Sequence, residues 1–171
     1  MSLAQGFAGL DPTLHDVKGF DCGKSALNTF LARFAAKHAR LGISSTWVLS
    51  EVGGTGKAPI AAFFTLAGHT VTSGELPAPQ QSLPRFQLPV VLIAQLAVSK
   101  TYARQGLGEK TLVTALRKAV ELTDVGLPAI GIVLDVLDDD ALGFYDHFGA
   151  FEPFTNKPMR LFMPMAVARQ L

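Results

Sequence analysis

Two glycines lie where a strand-like run is expected to turn into a helix. The apolar run VVLIAQLAV precedes the segment YARQGLGEKTL, in which one residue separates Gly106 from Gly108. A helix N-terminus presents unpaired backbone N–H groups and partial positive charge, and so it can hold an anion such as a pyrophosphate. Glycine removes the Cβ that would keep the anion away from the backbone. The pattern therefore indicates an anion-binding turn, or else a tight turn that needs glycine for its geometry alone.

The charges around this turn favour the first interpretation, and its spacing excludes two familiar phosphate loops. Five basic residues and one acidic residue lie between Lys100 and Lys118, among them Arg104 and Lys110. A P-loop requires Gly-Lys-[Ser/Thr], whereas Glu109 stands between Gly108 and Lys110 here. A dinucleotide-binding G-x-G-x-x-G turn requires a third glycine where Thr111 stands.

Hydrophobic periodicity and turn residues predict the elements that position this turn. The predicted fold class is α/β, a mixed sheet with helices on its faces in a single domain over residues 1–171. The predicted order begins with a helix over 24–41 capped by Asp21, two strands within 45–71 and a proline-rich loop over 74–89. A buried strand over 90–98, a helix over about 106–123 and a strand over 129–137 follow. The chain then forms a helix over 140–148, capped by Asp138 or Asp139 and ended by Gly149, and one or two closing strands.

Composition limits the class of protein. The net charge is +1, which by itself indicates no nucleic-acid partner. The single cysteine, Cys22, cannot form an internal disulfide, and no set of metal ligands surrounds it, so we expect no metal. No apolar run approaches the roughly 20 residues of a membrane span. These features predict a cytoplasmic protein that does not contact a membrane.

Several other residues could take part in binding or catalysis, but their spacing matches no specific motif. Arg33, Lys37 and Arg40 share a face of the first predicted helix, which is either solvated charge or part of a binding surface. None of the four histidines, His15, His38, His69 and His147, sits in a motif, and we assign none a role. The loop over 74–89 is long for a compact domain, which indicates a functional or mobile segment.

The glycine turn resembles the acyl-coenzyme A pyrophosphate loop of the GNAT acetyltransferases, [Q/R]-x-x-G-x-[G/A]. Gln105, Gly106 and Gly108 agree with that pattern, whereas Ala103 stands where Gln or Arg is usual and Arg104 is adjacent. The resemblance implies a mostly antiparallel, twisted sheet that splays at its central strands, with acetyl-CoA as co-substrate. It also implies that the preceding strand contributes backbone N–H groups. The implied cofactor-binding residues are Leu96, Ala97, Val98, Ala103, Arg104, Gln105, Gly106, Leu107, Gly108, Glu109 and Asp138.

A second segment, DDDALGFYDHFGAF, looks like the GNAT motif A-x-x-F-Y-x-x-x-G-F through Ala141, Phe144, Tyr145 and Gly149. In that family the tyrosine serves as general acid for the departing thiolate. A phenol with a pKa of about 10 keeps its proton at neutral pH and can deliver it, whereas a carboxylic acid would already be ionised. The resemblance therefore implies a catalytic role for Tyr145. A tyrosine in this place could instead be a packed core residue.

The opening FDCGKSALNTFL, from Phe20 to Leu31, is similar to that of the TacT-type GNAT toxins. Those toxins are paired with a ribbon-helix-helix antitoxin, and they acetylate the free α-amino group of aminoacyl-tRNA and block translation. The resemblance covers residues 14–167 and implies the same partners and a homodimer. At two positions the chain differs from the residue that is common in the family: Gln95 stands where Arg is common, and Asp138 stands where Asn is common. Asp138 lies either at the helix cap or near the cofactor.

Three functions stay open at this point. The first is acetylation of aminoacyl-tRNA, and an α-amine with a pKa near 8 suits a chain with no evident general base. The second is acetylation of a small-molecule or protein amine, which the low net charge favours. The third is binding of acyl-CoA or a partner protein without turnover, with Ala103 and Gln95 as marks of lost activity.

Overall fold

The computed structural model describes residues 2–171. Its contacts divide the chain into two compact units. The first comprises residues up to Ala67 with Gln95–Ala115, and the second comprises Gly68–Ala94 with Leu116–Leu171. Each unit is described in turn, and the single domain over residues 1–171 stays a prediction.

The first unit is built on two long antiparallel strands. Strand β4 (Ser45–Val52) pairs with β5 (Ala58–Val71), as the sequence predicted. Three two-residue strands, β1 (Ser2–Leu3), β2 (Ala8–Gly9) and β3 (His15–Asp16), were not predicted. The first two pair antiparallel with β4, and β3 pairs in parallel with β5. Two residues are too few to show an alternating pattern in the sequence.

The predicted helix over 24–41 is interrupted by a wider turn. It consists of α1 (Ser25–Thr29), a π-helical turn (Phe30–Phe34) and α2 (Ala35–Arg40). The predicted cap by Asp21 is wrong, because the N-cap residue is Lys24 and no side chain caps the helix there. The Asp21 carboxylate instead accepts hydrogen bonds from Gly23 N at 2.8 Å and Asn28 Nδ2 at 3.0 Å. An Asp side chain readily bonds the amide two residues on, and that local turn competes with capping.

Helices cover both faces of the sheet in the first unit. Side chains on one face of β4, β5 and β6 (Leu88–Val98), including Ile60 and Ala97, pack with Leu31 and Ala35 of the α1–α2 helix. Their chain neighbours on the other face, including Val98, pack with Leu107 at the start of α3 (Leu107–Asp124). Successive residues of a strand point to opposite faces, and so one apolar strand serves both layers.

In the second unit the strands lie in the order β6, β7 (Gly131–Asp135), β9 (Lys157–Pro164) and β8 (Glu152–Phe154). β6 and β7 are parallel, whereas β9 pairs antiparallel with both β7 and β8. The strand pairs of the two units thus form a mostly antiparallel mixed α/β architecture, which confirms the predicted fold class. The closing strands of the tail are confirmed as β8 and β9, and a short helix, α5 (Met165–Ala168), follows them.

The proline-rich segment over 74–89 is partly ordered by its own turns. It contains 3₁₀ turns at Ser73–Glu75 and Ala78–Gln80, and β6 already begins at Leu88. Thr72 and Glu75 form a reciprocal capping box at the first turn, and Leu76 is fully buried. The apolar contact at Leu76 fixes the start of this segment to the core of the second unit.

The helix α4 (Asp139–Phe148) follows β7 and agrees with its predicted limits within a residue. Asp138 caps it, and Gly149 ends it with a φ of +80°, a backbone conformation that favours glycine. None of the helices described between residues 2 and 171 is long and apolar enough to cross a membrane.

Candidate active site

The glycine turn connects the end of β6 to the start of α3. Lys110 N donates to Gly106 O at 3.2 Å, which is the first helical hydrogen bond of α3. The amides of Leu107, Gly108 and Glu109 therefore precede the hydrogen-bonded ladder of the helix. This is the arrangement of N–H groups that the sequence predicted for binding an anion.

Two residues of the turn have left-handed backbone conformations. Gly106 has a φ of +75°, and a Cβ built on it would meet no atom within 4 Å. Its conformation therefore favours glycine, while the space outside it is open to an approaching ligand. Arg104 has a φ of +63°, which is uncommon for a residue with a side chain. The exposed face of the turn thus combines an open backbone with the positive charge of Arg104.

The inner side of the turn is fixed by packing. Leu107 is only 7% exposed and contacts an apolar cluster that includes Leu49, Val98 and Tyr102. Thr111, one helical turn later, is fully buried, and its Oγ1 donates to Leu107 O at 2.6 Å. By contrast, Ala103, Arg104, Gln105, Gly106 and Glu109 are exposed. The turn therefore presents its backbone outward from a buried anchor.

The segment between β6 and the turn is held by Asp21. Lys100 N donates to Asp21 O at 3.0 Å, and Lys100 Nζ lies 2.9 Å from Asp21 Oδ2. The hydrogen-bonded Lys100 ammonium, with the Gly23 amide and the Asn28 side chain, lowers the pKa of Asp21 to about 2. Directly before Lys100, Ser99 N donates to Ala61 O at 2.7 Å. These contacts fix the chain between the strand and the turn, and the sequence analysis assigned Asp21 to the helix cap instead.

The strand residues Leu96, Ala97 and Val98 end β6 within the same unit as the turn. Ala97 is buried against the α1–α2 helix, and Val98 contacts the cluster around Leu107. Because the side chains of Ala97 and Val98 are used in packing, these two residues would contact a ligand through their backbone. The predicted backbone role stays a prediction.

Tyr145 lies in the second unit, in the second turn of α4. Its side chain is 7% exposed, and its ring packs edge-on against Phe144 and Phe151 with centroid distances of 5.1 Å and 5.9 Å. Burial raises the pKa of Tyr145 to about 12. Among the described residues 2–171, no hydrogen bond to its hydroxyl is found. A packed core tyrosine usually has a hydrogen-bond partner for its hydroxyl. A phenol that keeps its proton at neutral pH can act as a general acid, and the catalytic role of Tyr145 stays a prediction.

Asp138 also belongs to the second unit, where it is the N-cap residue of α4. Its Oδ1 accepts a hydrogen bond from Ala141 N at 2.9 Å at the start of α4. Of the two roles left open by the sequence, the helix cap is confirmed. Its contact with the cofactor stays a prediction.

Two other chemically capable residues, His15 and Cys22, are not placed for catalysis. His15 is buried, and its Nδ1 accepts from Asp11 N at 3.0 Å, which is a structural role. In the part of the chain from residue 2 onward, no group of three His, Cys, Asp or Glu side chains is arranged to hold a metal ion. Cys22 is half-buried, and burial raises the pKa of its thiol, the opposite of what a nucleophilic cysteine needs.

Several solved structures share this architecture. A tyrosine-to-phenylalanine variant of KacT superposes with a TM-score of 0.87 at 27% identity, covering 99% of both chains. AtaT complexed with acetyl-methionyl-tRNAfMet has a TM-score of 0.86 at 24% identity over 99% of this chain and 98% of that one. An AtaT tyrosine-to-phenylalanine variant bound to acetyl-CoA and the C-terminus of the antitoxin AtaR gives 0.80 at 22%, over 99% and 98%. The fold is therefore that of the GNAT toxins.

Two proteins related in sequence indicate to which group of these toxins the chain belongs. The tRNA-acetylating toxin of Mycobacterium tuberculosis (strain ATCC 25618 / H37Rv) is 31% identical over 157 residues, which are 91% of this chain and 90% of that protein. The probable toxin TacT of Sinorhizobium fredii (strain NBRC 101917 / NGR234) is 26% identical over 95% of this chain and 92% of that protein. No protein-family model matches the chain. The chain belongs to the TacT-type, tRNA-acetylating family of GNAT toxins.

Proposed function

We propose that this protein transfers the acetyl group of acetyl-CoA to the free α-amino group of aminoacyl-tRNA and thereby blocks translation. The observation that carries the proposal is the 31% identity, over nearly the whole chain, to a tRNA-acetylating toxin. The neighbouring structures with acetyl-CoA and with acetyl-methionyl-tRNA share the fold and are consistent with this reaction.

The donor is bound by the first unit. Its pyrophosphate meets the amides of Leu107, Gly108 and Glu109 across the open backbone at Gly106, and Arg104 adds positive charge. Gln105 and Ala103 are also exposed in the turn. The backbone of Leu96, Ala97 and Val98 aligns the pantetheine arm and polarises the thioester carbonyl. An N–H group aimed at the developing oxyanion lowers the barrier by about 3 kcal/mol.

The chemistry needs one proton donor and a neutral amine. The amine nitrogen attacks the thioester carbon, the tetrahedral intermediate expels the thiolate, and Tyr145 delivers its phenolic proton to the sulfur. The attacking nitrogen, which has become cationic, loses its own proton to solvent. Because burial raises the pKa of Tyr145 to about 12, this donor stays protonated at every physiological pH. An α-amine with a pKa near 8 is already partly neutral at pH 7, so no strong base is required.

The same proposal includes the partners and the location. A ribbon-helix-helix antitoxin is the expected partner, since an AtaT structure contains the C-terminus of its antitoxin AtaR. Charged tRNA and acetyl-CoA are available together in the bacterial cytoplasm, and we propose that the protein acts there. We further propose that residues 1–171 form one acetyltransferase domain, and a homodimer is expected from the family resemblance.

Acetylation of a small-molecule or protein amine is the competing function, and the net charge of +1 is what favours it. A panel of acceptors separates the two. We expect kcat/KM for charged tRNA to exceed that for free amino acids, polyamines and peptides with free N-termini by orders of magnitude. Comparable values across the panel would replace the proposed substrate with a smaller amine.

A further inference from the structure

One outward surface of the first unit joins positive charge to exposed aromatic rings. We propose that this surface, the basic–aromatic face formed by Arg33, Phe34, Lys37, His38 and Arg40, binds the single-stranded 3′ end of aminoacyl-tRNA. This inference rests on the proposed function, and it adds which part of the tRNA substrate the basic–aromatic face binds. It concerns residues outside the donor-binding turn.

The charge on this face is not balanced by neighbours in the sequence. Residues 22–50 contain no Asp and no Glu, although the whole chain is nearly neutral. Arg33, Lys37 and Arg40 are exposed and follow one another at helical spacing. Across the described residues 2–171, none of these three cations forms an ion pair. Four other basic residues of the chain are paired: Lys100 with Asp21, Lys118 with Glu121, Arg160 with Asp135 and Arg169 with Asp124.

Aromatic rings lie beside these charges. Phe34 is 42% exposed, and the His38 ring lies 5.9 Å from it and 5.7 Å from Phe30. Phe34 ends the π-helical turn, and such single turns inside helices occur frequently at functional sites. Beyond the helix, Leu41 and Ile43 are more than half exposed and extend the apolar surface. Three large apolar side chains are thus exposed within ten residues, and such a group is more informative than a single exposed apolar residue.

The helix carrying this face packs directly on the strand that ends at the donor site. On its inner side, Leu31 and Ala35 belong to the same buried cluster as Ala97 of β6. A helix with its side chains is about 10 Å across, so the face lies about that far from the strand. The amino acid of the substrate is esterified to the last nucleotide, and so the neighbouring nucleotides must be bound close to the strand.

The combination of groups favours a single-stranded nucleic acid over a duplex. Cations at regular spacing bind successive phosphates, and exposed rings stack with bases that are not already stacked in a helix. The bases of a duplex are unavailable for such stacking, and recognition of RNA by aromatic side chains uses unpaired ends and loops. The 3′ end of tRNA is unpaired and carries the reacting amine.

The test measures the KM of charged tRNA as a function of salt for Lys37→Gln, Phe34→Ala and the wild type. For Lys37→Gln we expect the slope of log(kcat/KM) against log[salt] to become shallower by about 0.7, with KM about fivefold higher at 0.1 M salt. For Phe34→Ala we expect KM to rise about fivefold or more with the slope unchanged, because stacking is not ionic. The control is Lys57→Gln, an exposed lysine in the turn between β4 and β5.

Acetyl-CoA affinity, measured by calorimetry, should be unchanged in all three variants, which also shows that they are folded. If the wild type labels charged tRNA but Lys37→Gln and Phe34→Ala keep its KM and salt slope, the inference is overturned and the proposed function stands. The inference is also overturned if Lys37→Gln and Phe34→Ala lose affinity for the antitoxin but keep the wild-type KM for charged tRNA. If the wild type labels no charged tRNA, it is the proposed function that fails.

Discussion

Asp21 and Lys100 are joined twice, through the Asp21 carbonyl and Lys100 N at 3.0 Å and through the Asp21 carboxylate and Lys100 Nζ at 2.9 Å. Asp21 lies in the Phe20–Gly23 opening, the segment that most specifically resembles the toxin family. Lys100 lies between the strand over 88–98 and the glycine turn. Asp21 therefore does not cap the helix, and it fixes the segment that leads into the glycine turn.

Substituting Asp21→Asn removes the ion pair and leaves an oxygen that can accept from Gly23 N. We expect a modest rise in the KM for acetyl-CoA, at most a few-fold, with kcat unchanged, because the pair is exposed and such pairs are weak. The difference from the wild type should disappear in high salt. Asp124→Asn, which breaks the similarly exposed pair with Arg169, is the control and should leave this KM unchanged. A loss of kcat in Asp21→Asn would contradict a positioning role.

Substituting Tyr145→Phe should lower kcat about 10²- to 10⁴-fold, the range for losing a general acid. Acetyl-CoA affinity and the melting temperature should hardly change, since the ring keeps its contacts with Phe144 and Phe151. Stopped-flow acetyl transfer and calorimetry measure the two effects separately. Tyr102→Phe, which alters the other tyrosine of the chain, should retain turnover. Full activity in Tyr145→Phe would remove Tyr145 from the mechanism.

The pH profile should rise and then stay level. Because burial raises the pKa of Tyr145 to about 12, the phenol remains protonated, and so competent as an acid, throughout the range below it. The amine must be neutral to attack, so kcat/KM should increase through its pKa near 8. We therefore expect a plateau up to about pH 10, measured with acetyl-CoA saturating. A decline between pH 8 and pH 10 would indicate an acid of lower pKa than Tyr145.

Substituting Gly106→Ala should weaken acetyl-CoA binding at least tenfold. The new methyl group meets no protein atom, but it enters the space through which the pyrophosphate approaches the backbone. The left-handed φ of +75° should also cost about 1 kcal/mol of stability. Gly56→Ala is a matched control, since Gly56 has a φ of +76° and equally open surroundings. We expect both variants to lose the same amount of stability, and only Gly106→Ala to bind acetyl-CoA more weakly.

Two substitutions at Asp138 separate its two assigned roles. Asp138→Asn retains an oxygen for Ala141 N and should keep the stability of the wild type, whereas Asp138→Ala should lose about 1 kcal/mol by removing the cap. Chemical denaturation measures both. If Asp138 only caps the helix over 139–148, Asp138→Asn will leave the KM for acetyl-CoA unchanged. A changed KM in a fully stable Asp138→Asn would support the predicted cofactor contact.

The sequence predicted the long elements well because their patterns extend over many residues. The glycine turn, the helix after it and the cap at Asp138 follow from local rules on glycine, helix ends and capping. The contact of Asp21 with Lys100 was missed, since 79 positions separate the two residues and no local pattern connects them. The π-helical turn at Phe30–Phe34 was missed because a single inserted residue barely changes helical periodicity. The exposure of Phe34 likewise became evident only from the folded chain.

The central claim is tested most directly by incubating the protein with radiolabelled acetyl-CoA and total charged tRNA, beside the same tRNA after deacylation. The account predicts label on the charged tRNA alone, and its release as N-acetyl amino acid when the aminoacyl ester is hydrolysed. Equal label on deacylated tRNA, or none on either while acetyl-CoA is still bound, would contradict acetylation of the α-amine.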